Sequence, residues 1–418
     1  MTSLHSPVTL PCGGVAPNRI VKAAMEENLC DAEHCPGQRL FTLYRRWARG
    51  GAGTIITGNV MIDARALTGP GGVVLDAHQP LGPFREWARS AKSHGALAIM
   101  QLNHPGRQLY ARMGTEAVAP SAVPLDLGGL SRMFQTPRAL AATEITEVIA
   151  AFVTAARRAV EAGFDGVEIH AAHGYLLSQF LSPLSNRRDD AWGGSLENRA
   201  RLLLDIVRAA RDALPPAAVV AVKLNSADFQ KGGFALADAR QVVAWLNPLG
   251  VDFVEISGGS YESPAMQGAP RDSTLKREAY FLDFARDIAA TATMPVLLTG
   301  GIRDADVAAR ALSSEDGKPA VSLVGLGRAL AFAPDLPRDW RERRLRPAPV
   351  PQVTWKNGKL ASLAEMALAK ASLERMSLGK RPGSGLPPAV LLALGQLTAG
   401  RKARRYRTWL ARRSDKQQ

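Results

Sequence analysis

The sequence predicts an α/β fold, a (β/α)8 TIM barrel with a basic, mostly helical C-terminal extension. Two observations predict the barrel: eight short apolar runs alternate with longer amphipathic stretches, and each run is continuously apolar. Continuous apolar runs are typical of parallel strands covered on both faces, and eight strand–helix units close a barrel. A third observation predicts the extension, because the excess of positive charge lies after residue 340.

The eight apolar runs are the predicted strands, and they span 20–24, 54–57, 96–102, 166–170, 219–224, 252–257, 295–299 and 321–325. A doubly wound open sheet is the alternative fold for such a pattern. That fold usually carries a glycine-rich turn after its first strand, whereas the first run here ends in Ala-Ala-Met-Glu-Glu. The barrel is therefore the favoured prediction.

The segments between the runs carry start and stop signals for helices. A capping sequence at 143–147 opens the third helix, and Gly163 ends it. Ser195 opens the fourth helix, which ends before the two prolines at 215–216. These signals support the strand–helix alternation of a barrel.

The charge of the chain divides it into two parts. Residues 341–418 hold 18 Lys or Arg against 4 Asp or Glu, and residues 1–340 hold 34 of each sign. We therefore predict a neutral barrel domain over 1–340 and a basic extension over 341–418. Because nucleic-acid binders usually carry their basic footprint on the binding domain itself, we expect no nucleic-acid partner.

The extension follows a proline-rich linker and contains two notable segments. In residues 360–378 the apolar side chains recur at helical spacing, at Leu363, Met366, Leu373 and Met376. This spacing predicts a helix whose apolar stripe packs on the barrel. The second segment is the basic run 401–407, which is followed by Trp409. It is interpreted as a solvated helix, or as a helix that docks on a neighbouring subunit and forms a homo-oligomer. An anchor for an anionic surface is the less favoured alternative.

The cysteine pattern excludes some classes of site. Cys12, Cys30 and Cys35 form no Cys-x-x-Cys pair, so neither a zinc ribbon nor a four-cysteine iron–sulfur cluster is available. A sparse, odd number of cysteines suits a reducing compartment. The N-terminus lacks the pattern of a signal peptide, and no apolar stretch is long enough to span a bilayer. We therefore expect a cytoplasmic protein.

The segment after the fourth predicted strand carries the strongest chemical signal. His170 ends that strand, and His173 and Tyr175 follow it in a long connection, 171–194. Barrel enzymes place their active sites at the C-terminal ends of strands. There, two imidazoles and a phenol can hold a carbonyl or phenolate oxygen and deliver a proton. A pair of structural loop histidines is an equally open interpretation, and a metal site is the weakest because the motif supplies no third ligand.

Two polar residues lie at the ends of the third and fifth predicted strands. Gln101 ends the third strand, where its amide can contact an amide-like edge of a ligand or bond the next loop. Lys223 lies in the apolar fifth strand. Because burying an unpaired ammonium is costly, Lys223 either stabilises an anion or pairs with a carboxylate inside the barrel.

Glycines and an arginine follow the last two strands. Gly300 and Gly301 come after the seventh strand, and Gly327 and Arg328 come after the eighth. Loops at these two places bind phosphate in many barrels. One glycine is weak evidence, since turns need glycine in any case, but two such loops with one arginine favour a phosphate site.

Six segments together carry a resemblance to a known family. They read NRIVKAAM at 18–25, QLNHPGR at 101–107, IHAAHGYL at 169–176, LSPLSNRRD at 181–189, WGGSLENR at 192–199 and GR at 327–328. In this set the chain resembles the Old Yellow Enzyme family, the FMN-dependent NAD(P)H:flavin oxidoreductases and ene-reductases. The resemblance covers about residues 5–340, in order. It implies a barrel that binds FMN and uses NADH or NADPH as the hydride donor.

The resemblance also implies roles for individual residues. The residues that would contact or bind FMN are Ala23, Ala24, Met25, Gly58, Gln101, Lys223, Gly300, Gly301, Gly327 and Arg328. Among them, Gln101 would bind the pyrimidine edge, Lys223 would lie near N1 and the C2 carbonyl, and Arg328 with the glycines would hold the phosphate. His170 and His173 would bind the substrate oxygen, and Tyr175 would protonate the α-carbon. The partner would be a small-molecule electron acceptor, an electron-poor alkene, and the alternative is a barrel that mainly reduces oxygen, quinones or nitro compounds.

The chain departs from the family after Met25. Family members often have Cys or Thr at the next position, where it tunes the flavin, and this chain has Glu26. A carboxylate near a flavin that becomes anionic opposes its reduction. We therefore count Glu26 among the cofactor-binding residues and expect that it lowers the flavin potential or is held protonated.

Overall fold

The computed structural model describes residues 3–263, 279–315 and 317–415. Eight parallel strands surround its centre: β1 Ile20–Lys22, β2 Thr54–Ile56, β3 Leu97–Asn103, β4 Gly166–Ala171, β5 Val219–Asn225, β6 Phe253–Ser257, β7 Val296–Thr299 and β8 Leu323–Leu326. Each strand pairs with the next along the chain, and β8 pairs with β1 to close the ring. The predicted (β/α)8 barrel is confirmed, and every predicted strand bound lies within about two residues of the observed one, the usual scatter at element ends.

Helices surround the strands and continue beyond the barrel: α1 Gln38–Arg49, α2 Leu81–Lys92, α3 Ala142–Glu161, α4 Leu176–Leu181, α5 Leu196–Ala213, α6 Leu236–Leu246, α7 Leu282–Ala289, α8 Ala305–Ala311, α9 Arg328–Phe332, α10 Leu336–Arg341, α11 Gly358–Met376 and α12 Pro388–Asp415. Ser195 caps α5 by accepting a hydrogen bond from the backbone N–H of Asn198, as its sequence predicts. The α3 helix begins one residue earlier than its capping sequence suggests. Its Glu144 carboxylate accepts from the N–H of Ala141. Among the described residues, no helix is both long and apolar enough to cross a bilayer.

The lower half of the barrel interior is an apolar layer. Seven strands contribute inward-pointing residues to it: Val21, Ile56, Ile99, Val219 with Ala221, Phe253, Leu297 and Leu323. A short N-terminal hairpin of Val8–Thr9 and Val15–Ala16 closes the bottom of the barrel, because Val8 and Leu10 pack into the same cluster. The hairpin therefore closes the amino-terminal end of the ring, and the other end is where barrel enzymes bind their ligands.

The α11 helix packs on the barrel through a different row from the one the sequence suggests. Leu373 and Met376 are buried as predicted, but the prediction is wrong for Leu363 and Met366, which are 37% and 44% exposed. The buried row includes the small residues Ala364 and Ser372. Small side chains allow close approach to α9, where the Ser372 hydroxyl donates to the Ala331 carbonyl at 2.6 Å. The packed face of α11 therefore combines these small residues with Leu373 and Met376, and only part of the predicted stripe lies on it.

The C-terminal half of α12 docks on the barrel of its own chain. Tyr406 is buried and donates a hydrogen bond to the Ala64 carbonyl at 3.0 Å. Trp409 lies 4.3 Å from the ring of His34, and the Arg413 guanidinium donates to both Asp76 carboxylate oxygens at 2.5 and 2.6 Å. The basic run is therefore helical, as predicted, and its inward face is occupied within the same subunit.

Candidate active site

A polar layer lies directly above the apolar layer, at the carboxyl ends of the strands. Side chains on a strand alternate between faces, so the residue two positions after each inward-pointing one also points inward. This rule places Ala23, Gly58, Gln101, Lys223 and Glu255 at one level around the barrel axis. The structure thus brings four of the predicted cofactor-binding residues together at the mouth of the barrel.

Two buried polar pairs occupy this layer. The Gln101 amide donates to Glu168 at 2.6 Å, and the Lys223 ammonium donates to Glu255 at 2.7 Å. Strand register explains both pairs, because Gln101 lies opposite Glu168 between β3 and β4, and Lys223 lies opposite Glu255 between β5 and β6. The side chain of Gln101 therefore bonds a residue of the neighbouring strand, Glu168, and not the next loop. Lys223 pairs with Glu255, a carboxylate inside the barrel, as the cost of burying an unpaired ammonium requires.

The two carboxylates differ in charge. Burial and the negative charge of Glu255 raise the pKa of Glu168 well above its ordinary value. Burial alone would also raise the pKa of Glu255, but the charge of Lys223 and the hydrogen bonds from Glu168, Lys223 and Thr299 together outweigh burial and lower that pKa. The layer therefore holds one neutral carboxyl and one ion pair, with no net charge, which is an arrangement that a buried site can tolerate.

The two predicted histidines lie side by side, and His170 is opposite Lys223 between β4 and β5. The rings of His170 and His173 are 5.1 Å apart and nearly perpendicular. The backbone N–H of Ala172 donates to Nδ1 of His170, so this histidine carries its proton on Nε2. Burial lowers the pKa of His170 well below its ordinary value and that of His173 to about 3. Both rings are therefore neutral at pH 7, and each can donate one N–H hydrogen bond.

His173 is held by contacts of its backbone and its ring. Its φ is +61°, a left-handed conformation that costs energy in a residue other than glycine. The Asn225 side chain accepts from its backbone N–H at 3.1 Å, and its Nε2 lies 2.8 Å from the Ser257 hydroxyl. Residues at the ends of β5 and β6 therefore fix the second imidazole.

Tyr175 belongs to a group of aromatic residues at the mouth. Its ring lies 5.0 Å from that of His170, and its hydroxyl is 3.2 Å from the hydroxyl of Tyr261. Burial, followed by the nearby charge of Glu26, raises the pKa of Tyr175 above its ordinary value and that of Tyr110 to about 12. Tyr175 therefore keeps its proton at neutral pH and is able to donate it.

Glu26 lies at the edge of this aromatic group. Its carboxylate accepts a hydrogen bond from the Thr68 hydroxyl at 2.5 Å, and the residue is exposed. Ala24 and Met25 are half-buried on the same strand end. The effect of Glu26 on a flavin potential stays a prediction.

Beneath Gly58 lies a buried network that the sequence did not reveal. The Tyr44 hydroxyl donates to Glu27 at 2.6 Å and accepts from the N–H of Gly58 at 2.9 Å. The Lys22 ammonium lies 3.6 Å from Glu27 and 4.4 Å from the centre of the Trp47 ring. Burial lowers the pKa of Lys22 to about 8. The network fixes the end of β2 against the end of β1.

The glycines after β7 adopt conformations that favour glycine. Gly300 has φ +155°, and Gly301 has φ +70°. A Cβ on Gly301 would lie 2.5 Å from the ring of Tyr280, so a larger residue would displace that ring. After β8, a Cβ on Gly327 would meet nothing within 4 Å, and Arg328 beside it donates to Glu365 of α11 at 3.0 Å. Open space beside a guanidinium is suited to an anion.

Several residues of the site escaped the sequence-based argument. Glu168 and Glu255 lie within apolar strands, so the reasoning that singled out Lys223 would have found them. Tyr110 and Tyr261 lie in loops without a distinguishing motif. Within the described ranges, no group of three or more His, Cys, Asp or Glu side chains could hold a metal ion.

Sequence comparisons match this chain to known proteins. Residues 4–346 match the family described as NADH:flavin oxidoreductase / NADH oxidase. The chain is 40% identical over 362 residues to the NADH-dependent flavin oxidoreductase iliE of Hypocrea jecorina, which covers 81% of this chain and 89% of that protein. It is 35% identical over 330 residues to an NADH oxidase of Thermoanaerobacter brockii, covering 78% of this chain but only 49% of that protein.

A comparison with solved structures also finds a similar flavoprotein. The old yellow enzyme homologue from Zymomonas mobilis superposes with a TM-score of 0.68 at 26% identity. The match covers 82% of this chain and 94% of that one. The likeness therefore extends over nearly the whole of that protein.

Proposed function

Because this chain belongs to the NADH:flavin oxidoreductase / NADH oxidase family of Old Yellow Enzyme-type flavoproteins, we propose that it is an FMN-dependent ene-reductase. In this proposal it takes hydride from NADH or NADPH and passes it to an electron-poor alkene, such as an α,β-unsaturated carbonyl compound. The observation that carries the proposal is the pair of neutral imidazole donors, 5.1 Å apart, beside a proton-bearing tyrosine. Two N–H donors can bind the carbonyl oxygen of such a substrate, and the tyrosine can deliver the proton that its α-carbon takes up.

The residues at the mouth have the chemistry that FMN needs. Gln101 offers an amide and Lys223 an ammonium with N–H groups beyond the one on Glu255, which suit the oxygens and nitrogens of a pyrimidine edge. Gly58 allows the ends of β1 and β2 to approach closely. Open space at Gly327, next to Arg328, suits the phosphate. We assign these residues, with Ala23, Ala24, Met25, Glu26, Gly300 and Gly301, to the cofactor site.

When bound, FMN supplies the hydride chemistry, and the protein positions and polarises the reactants. His170 and His173 each donate an N–H to the substrate oxygen and stabilise the negative charge that develops there. Because both imidazoles are neutral, they bind the oxygen without transferring a proton to it before the reaction. Tyr175, whose pKa is raised by burial, donates its proton to the α-carbon.

An enzyme that chiefly reduces oxygen, quinones or nitro compounds is the second candidate. The name of the T. brockii relative, NADH oxidase, favours it. Anaerobic NADH or NADPH consumption with cyclohexenone, compared with the rate under oxygen alone, separates the two. Product formation from the enone supports the ene-reductase, whereas consumption only under oxygen or with a quinone supports the second candidate. A purified chain that binds no FMN would overturn both.

We expect His170→Ala to weaken the binding of a phenolic ligand at least tenfold, with FMN binding unchanged. A hydrogen bond to a charged oxygen contributes about 1.5–3 kcal/mol, and His170 is placed to donate one from Nε2. Titration of the flavin absorbance with a phenol measures the affinity. His94→Ala is the matched control, since His94 is exposed between α2 and β3. Equal phenol affinity in the His170 variant and the wild type would remove the histidine from the substrate site.

We also propose that the extension joins two copies of the chain. One face of α12 exposes three apolar side chains: Val390 at 42%, Leu394 at 44% and Leu397 at 76%. The same face carries Arg401 one turn further along the helix. Clustered apolar residues on a surface mark an interaction site, and a two-fold axis would pair this face with itself. The inward face of the same helix is already occupied by its own barrel.

We expect Leu394→Glu to convert a dimer to a monomer in light-scattering measurements of molar mass. The buried charge opposes the apolar contact. Leu130→Glu is the control, because Leu130 is similarly exposed, at 39%, on the barrel loop. A wild-type chain that is monomeric would refute the dimer, and binding of that monomer to anionic vesicles would assign the face to a lipid surface.

A further inference from the structure

The arginine assigned to the phosphate is held by a residue of the C-terminal extension. Arg328 Nη1 donates to Oε2 of Glu365 at 3.0 Å. The other oxygen of the same carboxylate accepts from the backbone N–H of Val353 at 3.1 Å. Both side chains are partly buried, with 30% exposure for Arg328 and 20% for Glu365. The carboxylate is thus fixed on one side by the backbone and on the other by the guanidinium.

The helix that carries Glu365 is itself fixed against α9. Ser372, two turns further along α11, is fully buried and donates to the Ala331 carbonyl. Its hydroxyl also accepts from the N–H of Gly383 at 2.8 Å, which joins the next segment of the extension. Because α9 begins at Arg328, the same contacts that dock α11 also set the position of Glu365 relative to that arginine.

We propose that Glu365 is a positioning residue that orients Arg328 for the phosphate of FMN, an inference that rests on the proposed function. An arginine side chain loses much conformational freedom when it binds an anion. A guanidinium held beforehand at one nitrogen loses less, and its remaining N–H groups stay available to a phosphate. Glu365 lies outside residues 4–346 that match the family, so the extension adds this residue to the cofactor site.

The opposite effect is the main rival. A carboxylate beside a phosphate repels it, so Glu365 could compete with FMN for Arg328. Here the carboxylate already has two partners, the guanidinium and the N–H of Val353. At partly exposed positions the repulsion is also screened by solvent. We therefore expect the positioning effect to exceed the repulsion.

The test compares FMN with riboflavin, which has the same ring system but no phosphate. We expect Glu365→Ala in the full chain to weaken FMN binding about threefold to tenfold, the range expected for immobilising one long side chain. Riboflavin affinity should be unchanged. Quenching of flavin fluorescence on addition of flavin-free protein measures both. Glu374→Ala is the matched control, since Glu374 lies on the same helix and forms its ion pair with Lys402, at 4.0 Å, and not with Arg328.

The other outcomes are equally distinct. Equal losses for FMN and riboflavin, or no loss for either, would refute the inference, because the effect would not pass through the phosphate. Tighter FMN binding by Glu365→Ala would establish the competing role instead. Glu365→Gln keeps an acceptor for Arg328 but removes the charge, so it should lose less FMN affinity than the alanine variant. If the alanine variant does not fold, a smaller loss confined to FMN in the glutamine variant carries the test, and no loss there counts against the inference. A wild-type chain that binds neither flavin would refute the proposed function itself.

Discussion

Replacing Lys223 by methionine should lower the free energy of unfolding of the flavin-free chain by about 3–5 kcal/mol, the cost of leaving a buried charge without its partner. Lys223 is 2% exposed, and its ammonium lies 2.7 Å from Glu255, which is fully buried. Methionine has a similar length but no charge. The neighbouring Glu168, whose pKa is raised by burial and by Glu255, is neutral and supplies no positive charge in place of the ammonium.

The loss should depend on pH in a defined direction. Without the ammonium, burial raises the folded-state pKa of Glu255 above that of the unfolded chain. A carboxyl with a raised folded-state pKa costs no stability below the unfolded-state pKa, about 4.3, where it is protonated in both states. As the pH rises from there through the folded-state pKa, the free energy of unfolding falls. The difference between the variant and the wild type should therefore be larger at pH 8 than at pH 5.

Urea unfolding followed by circular dichroism measures these differences. The second substitution Glu255→Gln, added to Lys223→Met, should restore most of the lost stability, since it removes the unpaired charge. The double variant should also lose the pH dependence. If the single variant is as stable as the wild type, or if the double variant is no better than the single one, the ion pair does not govern the stability of the barrel mouth.

The barrel and its strands could be predicted from the sequence because their signals are local. Each strand is a continuous apolar run, and the HAAHGY segment identifies the mouth of the barrel whatever the exact register. Glu168 and Glu255 could have been singled out as charged residues within apolar strands, but their pairings with Gln101 and Lys223 could not be predicted. They depend on which residues face each other across neighbouring strands, and a shift of one residue would turn Glu168 or Glu255 out of the barrel.

The packing of the extension was harder to predict for a different reason. A helix that approaches another closely does so through small residues, and Ala364 and Ser372 carry no signal in a pattern of large apolar side chains. Because α11 packs through the face that carries Ala364 and Ser372, Leu363 and Met366 are left exposed to solvent. The contact between Glu365 and Arg328 likewise joins residues 37 positions apart in two separate helices.

Gly58→Ala should destabilise the flavin-free chain by about 1–3 kcal/mol, the range for overfilling a well-packed site. The added Cβ would lie 1.9 Å from a carboxylate oxygen of Glu27 and 2.3 Å from the backbone carbonyl of Met25. Glu27 has little room to move, because it is bonded to Tyr44 at 2.6 Å and paired with Lys22 at 3.6 Å. The ends of β1 and β2 must therefore separate, and both ends belong to the proposed cofactor site.

The same substitution elsewhere provides the control. Gly82 lies in α2, is exposed, and has nothing within 4 Å of an added Cβ, so Gly82→Ala should leave stability unchanged or raise it by up to about 1 kcal/mol. Thermal unfolding without flavin measures both variants, so that a change at Gly58 reports on packing and not on ligand binding. Because the ends of β1 and β2 would move apart, the Gly58 variant should weaken the binding of both riboflavin and FMN. A Gly58 variant with the stability of the Gly82 variant would mean that Glu27 and Met25 yield freely, and the buried network would not be the support of the cofactor site.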